Sequence, residues 1–256
     1  MSEFRVRACD ASELAARRSE LEGLERSFRY PLGDDSFRID HGTDYLAFAR
    51  RLGEPEVFIA ERGDSIVGLL IAVLREQQRR TWYLCDLKVA AVEAGASLAM
   101  RLYAAFDSAH RDGLPRFGVS MDREGAADRL VAIARRRGAH VGPRLSLFQL
   151  DTPTWHRRAE GLRERLGDLE LVDLEGLKDI IVGSSEIPLR LLHVCVGATP
   201  TAVEPSPDSI QMLCLREDDP AALWLRQAGC PPSASATVIS TAPLDVDWRR
   251  FSSAEI

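Results

Sequence analysis

"YLCDLKVAAVEAGASLAMRL", Tyr83 to Leu102, passes from an apolar run through a small-residue loop into an amphipathic stretch. Tyr83 to Val89 reads as a strand. Ala90 to Ala96 carries little side-chain bulk, and Ser97 to Leu102 opens a helix. Two physical purposes suit such a turn. Backbone N–H groups in a helix's first turn have no intrahelical partner and carry partial positive charge, so a bare loop lets an anion approach them. Alternatively, small residues simply let a helix pack close on a sheet.

The flanking sequence sets the architecture around that turn. Upstream, "EVFIAER" and "IVGLLIAVLRE" are strand-like runs joined by "GDS", a hairpin signal. Before them, "FRVRACD" alternates as a strand. Asp10 then caps a helix over "ASELAARRSELEGLERSF", a polar loop "PLGDDSFRIDHGT" follows, and "DYLAFARRL" is a second helix. Downstream, Leu98, Leu102, Ala105, Phe106 and Ala109 share one helical face, ending at Gly113. "RFGVSMD" is a strand, "EGAADRLVAIARRRG" a helix closed by Gly138, and "RLSLFQL" a last strand. The order β-α-α-β-β-β-α-β-α-β predicts an α/β (α+β) fold with a mixed sheet over residues 1–151.

Residues 152–256 form the second expected unit. "TWHRRAEGLRERLGDLELVDLEGLKDIIVG" reads as mainly helical, and "LRLLHVCVG" as a strand. A proline-rich loop "GATPTAVEPSPDS" precedes "IQMLCLREDDPAALWLRQAGC", which is strand, cap and helix. "SASATVIST" closes the folded part, with "DVDWRRFSSAEI" expected to be loosely held. "VSMDREGAADRLVAIARRRGA" and "MLCLREDDPAALWLRQAGC" share a pattern of apolar strand, Arg-Glu, helix and glycine. That parallel points to an internal duplication, with a degenerate second half.

Composition excludes several classes. A length of 256 residues suits two units, and a net charge of −6 argues against a nucleic-acid partner. Clusters such as Arg135-Arg136-Arg137 read as solvated faces. No signal-peptide pattern opens the chain, and the apolar run Ile66–Leu74 is too short to span a bilayer, so a cytoplasmic protein without a membrane partner is expected. The 5 cysteines (Cys9, Cys85, Cys195, Cys214, Cys230) are widely spaced, as unpaired thiols are. No histidine has a second ligand at helical or hairpin spacing, so no metal site is expected. There is no GxSxG elbow, P-loop, GxGxxG or HExxH.

The element order over residues 3–151, with the strand end Leu87-Lys88-Val89 and the loop Ala94-Gly95-Ala96-Ser97-Leu98-Ala99, resembles the GNAT superfamily of acyl-CoA-dependent N-acyltransferases. Its signature loop reads arginine or glutamine, two residues, glycine, one residue, then glycine or alanine. Here Ala94 replaces the first residue, Ser97 replaces the glycine, and Ala99 fits. The alanine removes a charge-assisted contact worth roughly 1.5–3 kcal/mol. The resemblance implies an acyl-CoA co-substrate, acetyl-CoA first among them. Its diphosphate would lie over Ala94–Ala99 and its pantetheine along Leu87, Lys88 and Val89.

The same resemblance implies transfer of the acyl group to an amine of a small molecule or peptide. The base would be a carboxylate on the central strand, for which Asp86 is the candidate and Cys85 a weaker nucleophile candidate. Adjacent strand residues face opposite sides, so only one of the two is expected in the cleft. The family's tyrosine acid, four residues before the closing glycine, falls on Ala134 here and on Leu225 in the second half. The alternative is a noncatalytic GNAT-like module that binds acyl-CoA or a protein partner. A homodimer is compatible with either.

Overall fold

The computed structural model describes residues 4–32, 35–76, 79–90, 96–122, 129–183, 187–197 and 203–256. The first strand, β1 (Arg5–Cys9), leads into α1 (Ala11–Ala16), where the Asp10 carboxylate accepts from the Glu13 amide at 2.8 Å. The predicted long helix breaks at Arg17 and resumes as α2 (Arg18–Arg26). The expected polar loop contains two strands, β2 (Tyr30–Leu32) and β3 (Asp35–Asp40). The physical reason is the alternation in "DSFRID", which buries Phe37 and Ile39 and leaves the aspartates at its ends exposed. Next come α3 (Ala47–Leu52), β4 (Pro55–Arg62), β5 (Ser65–Glu76) and β6 (Arg80–Val89). The Gly-Asp turn joins β4 to β5, with Gly63 at φ 58°.

Beyond the opening loop lie α4 (Ala96–Ala109), β7 (Arg116–Met121), α5 (Arg129–Arg136) and β8 (His140–Asp151). The second half begins at once with α6 (Thr152–Leu166), capped by Asp151. The remainder of the stretch expected to be helical is two strands, β9 (Leu169–Asp173) and β10 (Asp179–Val182). Gly167, at φ 86°, ends the helix there. The chain finishes with β11 (Leu191–Val196), β12 (Ile210–Arg216), α7 (Pro220–Gln227), β13 (Ala234–Ser240) and two 3-10 turns, Trp248–Arg250 and Ser253–Glu255. Between β11 and β12 no helix occurs among the described residues.

Ten strands form one sheet in the order β1-β4-β5-β6-β7-β13-β8-β12-β11-β9, and β10-β3-β2 form a second. Two neighbouring pairs are parallel, β6 with β7 and β11 with β12. Each is followed by a helix and an antiparallel return strand, β8 in the first half and β13 in the second. Gly138 and Gly229 close those helices at the same φ of 79°. The return strands are exchanged: β13 pairs with β7 and β8, while β8 pairs with β12 and β13. Each half thus completes the other's sheet.

The two sheet faces are buried differently. On one face a continuous core runs from Val57 and Ile59 through Tyr83, Phe117, Val238 and Leu145 to Met212 and Leu191. Helices α1–α3, the small sheet and the C-terminal segment cover it. On the other face there are two separate cores, one with Leu98, Leu102 and Phe106 of α4, the other with residues of α6 and α7. The C-terminal segment is not loose, as the sequence suggested. Trp248 and Phe251 are buried among the rings of Tyr83 and Phe117.

Candidate active site

The parallel pair β6–β7 is short. It runs from Trp82↔Arg116 through Tyr83↔Phe117 to Leu84↔Gly118 and stops. From there β6 stays paired to β5 as far as Val89↔Gly68, while β7 turns away along β13. The β6 edge from Cys85 to Val89 therefore faces a wedge between two diverging strands. Its N–H and C=O groups on that side have no strand partner among the described residues, which suits an extended ligand that adds its own hydrogen bonds.

Residues 91–95 separate this edge from α4 in sequence. Ala94 and Gly95 lie outside the described residues, so the candidate diphosphate loop is represented by Ala96–Ala99. Ser97 is exposed at the first turn of α4 and Ala99 is half-buried. Leu98 is 1% exposed and packs against the sheet, so only its backbone can face a ligand. Close packing is also present. A Cβ on Gly68, opposite Val89, would lie 3.1 Å from the Leu102 side chain on α4.

A bulge sets the side chains of β6. Ile71 pairs with Asp86 and Ala72 with Leu84, leaving Cys85 as an extra residue. Strand alternation lapses there, so Cys85 and Asp86 both reach the face covered by α2, contrary to simple alternation. The Cys85 Sγ lies 3.6 Å from the Ile71 carbonyl, and burial pushes its thiol up to about 12. A thiol so buried stays protonated at neutral pH, which disfavours the nucleophile role and favours packing.

Asp86 is at the centre of a polar cluster. It accepts from the Tyr45 hydroxyl at 2.9 Å and from Lys88 Nζ, which is 2.6 Å from its Oδ1. The same ammonium is 2.6 Å from the Glu25 carboxylate and 3.1 Å from the Tyr45 oxygen. Lys88 is only 3% exposed, so its side chain is committed to this cluster and only its backbone faces the wedge. Burial opposes the Lys88 ammonium, yet Asp86, the nearby phenols and Glu25 hold its pKa well above 10.5. Burial likewise opposes the Glu25 carboxylate, but His41 and Lys88 outweigh it and hold the group at about 2. The His41 ring nitrogen lies 3.6 Å from Glu25.

Glu25, His41 and Asp86 present ligand atoms within 4.8 Å of one another, a spacing that a metal ion could bridge. The Lys88 ammonium already supplies the cation between the two carboxylates. Glu25, His41 and Tyr45 escaped the sequence reading. One signal was legible: Glu25 sits four residues after Leu21 and one after Leu24, on the apolar face of α2, where a charge needs a partner.

No protein-family model matches this chain, and no curated protein sequence does. Solved structures do. With its paired parallel strands, wedge and exchanged return strands, the chain has a GNAT-like acyl-CoA N-acyltransferase fold in a tandem arrangement. It is similar to the tandem GNAT protein from the clavulanic acid biosynthesis pathway, solved without AcCoA, at 12% identity and TM-score 0.57, covering 95% of this chain and 100% of that one. It is also similar to a GCN5-related glucosamine N-acetyltransferase region of a fungal multi-domain GH3 β-N-acetylglucosaminidase. There the identity is 11% and the TM-score 0.53, over 94% of this chain and 38% of that one. At such identities the likeness concerns the fold.

Proposed function

We propose that this protein is an acyl-CoA-dependent N-acyltransferase acting on an amine of a small molecule or peptide, with acetyl-CoA the first donor to test. The observation that carries the reading is the unpaired β6 edge, Cys85 to Val89, running toward the N-terminus of α4. An extended amide-bearing arm fits that edge. The polar backbone of Leu87, Lys88 and Val89 would hold it, and the first turn of α4 with Ser97 would receive the diphosphate. In the transfer, the amine lone pair forms the C–N bond, the C–S bond breaks, and one proton passes from the amine to the departing sulfur. Asp86 is the candidate base, provided an incoming amine displaces Tyr45 or Lys88 from its lone pairs.

That condition favours a second reading. Asp86 is held by two donors, the Cys85 thiol stays protonated, and Ala134 offers no acid at the position the family uses. A noncatalytic acyl-CoA-binding module has the same wedge and needs no base. Titration calorimetry with CoA tests what the readings share. Wild type should bind with one site per chain, and Ser97→Trp should abolish the heat while retaining the wild-type melting temperature. Unaltered binding by Ser97→Trp would mean the wedge is not the site. Thiol release on an amine panel then separates the two. Asp86→Asn should lower that rate by roughly 10²–10⁴-fold if Asp86 is the base.

A further inference from the structure

Residues 248–256 join the core through aromatic and then polar contacts. Trp248 and Phe251 anchor the segment by aromatic packing, the Trp248 ring 5.8 Å from Phe117 and 5.5 Å from Phe251. Beyond Phe251 the contacts become polar and come from both halves. Arg75 of β5 pairs with the Glu255 carboxylate, and the Tyr83 hydroxyl of β6 donates to the Glu255 carbonyl. Lys178, just before β10, donates to the Ala254 carbonyl at 2.6 Å and to the Ile256 oxygen at 2.9 Å. His193 of β11 meets the Ser253 hydroxyl at 2.9 Å, and that hydroxyl donates to the Met212 carbonyl at 3.0 Å. The His193 Nδ1 therefore carries the proton of this contact.

These partners are buried before any ligand arrives. Arg75 is 11% exposed and Glu255 6% in their side chains, while Lys178 is 8% exposed and His193 3% overall. A buried ion pair is energetically close to an apolar pair of the same volume, so stability alone does not call for this lining. A guanidinium, a phenol, an ammonium and an imidazole arranged around five residues of extended and 3-10 backbone are recognition chemistry for a peptide. The groove lies on the same sheet face as Cys85 and Asp86, two and three residues along β6 from Tyr83. Beside the segment a cavity of about 20 Å³ remains, lined mainly by apolar side chains with Lys178, His193 and Ser253 among them.

We propose that residues 252–256 sit in a ligand site of this protein, and that its ligand in trans is a short peptide-like molecule. That ligand presents one carboxylate side chain to Arg75 and backbone carbonyls to Tyr83 and Lys178. The inference names the acceptor class for the proposed acyl transfer. It rests on that reading for the chemistry and not for the binding. The chain's own segment occupies the groove and competes with that ligand for it.

The probe is the labelled pentapeptide Ser-Ser-Ala-Glu-Ile, followed by fluorescence anisotropy against the full chain and a chain ending at Phe251. The shortened chain should bind at least about ten-fold tighter than the full chain. Ser-Ser-Ala-Gln-Ile should bind it about ten-fold more weakly, the size expected for one hydrogen bond to a charged group. Arg75→Met in the shortened chain should erase that difference. Equal binding by both chains, no binding, or no preference for Glu over Gln would overturn the proposal. Hydrogen exchange on full-length Glu255→Gln guards against a shortened chain that fails to fold. Amides of 252–256 should exchange at least about ten-fold faster than in wild type while 248–251 keep their protection. Exchange of both stretches in step would make 252–256 ordinary core and sink the idea. CoA calorimetry run alongside keeps the two failures apart: peptide binding without CoA binding removes the acyl-transfer reading and leaves this site standing.

Discussion

Lys88 shows how one side chain can decide the character of a site. Its ammonium sits between Glu25 and Asp86 at 2.6 Å from each, with Tyr45 completing the shell. Removing one partner of a buried pair leaves the others uncompensated, so Lys88→Met should cost about 3–5 kcal/mol in urea unfolding. A loss below 1 kcal/mol would mean the cluster is hydrated and weak. The acid side of the stability curve carries two signatures. The buried His193, held neutral with its pKa down to about 3, takes up its proton only on unfolding. It therefore favours unfolding as pH falls from about 6.5. Glu25, lowered to about 2, contributes stability that is full above its ordinary 4.5 and is lost as pH falls toward 2. Melting temperature should decline in both windows, with His193→Gln flattening the upper one. An unchanged profile in that variant would rule out His193 as the source.

At the scale of elements, the opening strand–loop–helix serves the packing purpose first weighed for it, and the anion site we propose would lie at its helix end. Packing is tight: Leu98, Leu102 and Phe106 of α4 are almost wholly buried, and Leu102 closes on Gly68. A side chain at Gly68 would push α4 off the sheet. Gly68→Val should cost roughly 1–3 kcal/mol, the usual cost of overpacking. It should also weaken CoA binding, because the helix N-terminus moves relative to the β6 edge. Calorimetry and thermal melts on the same samples test this. Reduced stability with unchanged CoA affinity would separate the helix from the ligand. The bulge at Cys85 has the complementary effect of turning Asp86 toward α2.

For the whole molecule, the exchange of β8 and β13 matters more than the likeness of the two halves. Residues 1–151 alone would lack β13 between β7 and β8, and residues 152–256 would lack β8 between β12 and β13. Either fragment would expose unpaired strand edges and half of the shared apolar core. We therefore treat the two halves as repeats within one cooperative unit. Urea unfolding followed by tryptophan fluorescence and circular dichroism should give coincident single transitions. The separate fragments should be insoluble or molten, while co-expression restores a soluble complex. A stable, monomeric fragment 152–256 would overturn this view.

The sequence by itself determined most of the local elements of the first half and the likeness of the two halves, but not β2, β3 or the break at Arg17. Those signals are short-range: the period of "ASLAMRLYAAF", the caps before α1 and α7, and the glycines after α5 and α7. They also sufficed for the GNAT resemblance, because the wedge follows from one strand, one loop and one helix in order. Only the tertiary structure decided which strand pairs with which. Nothing local in "SASATVIST" says that it lies between β7 and β8, since pairing across so long a stretch of chain depends on shape and burial rather than period. The same reason hid the site's partners. Glu25, Tyr45 and Lys88 are far apart in the chain and meet only because a bulge at Cys85 and the packing of α2 bring their charges into one dry pocket. The C-terminal segment went unrecognised for the opposite cause. Its polar composition reads as solvent-facing, while its partners, Arg75, Tyr83, Lys178 and His193, are supplied by distant strands.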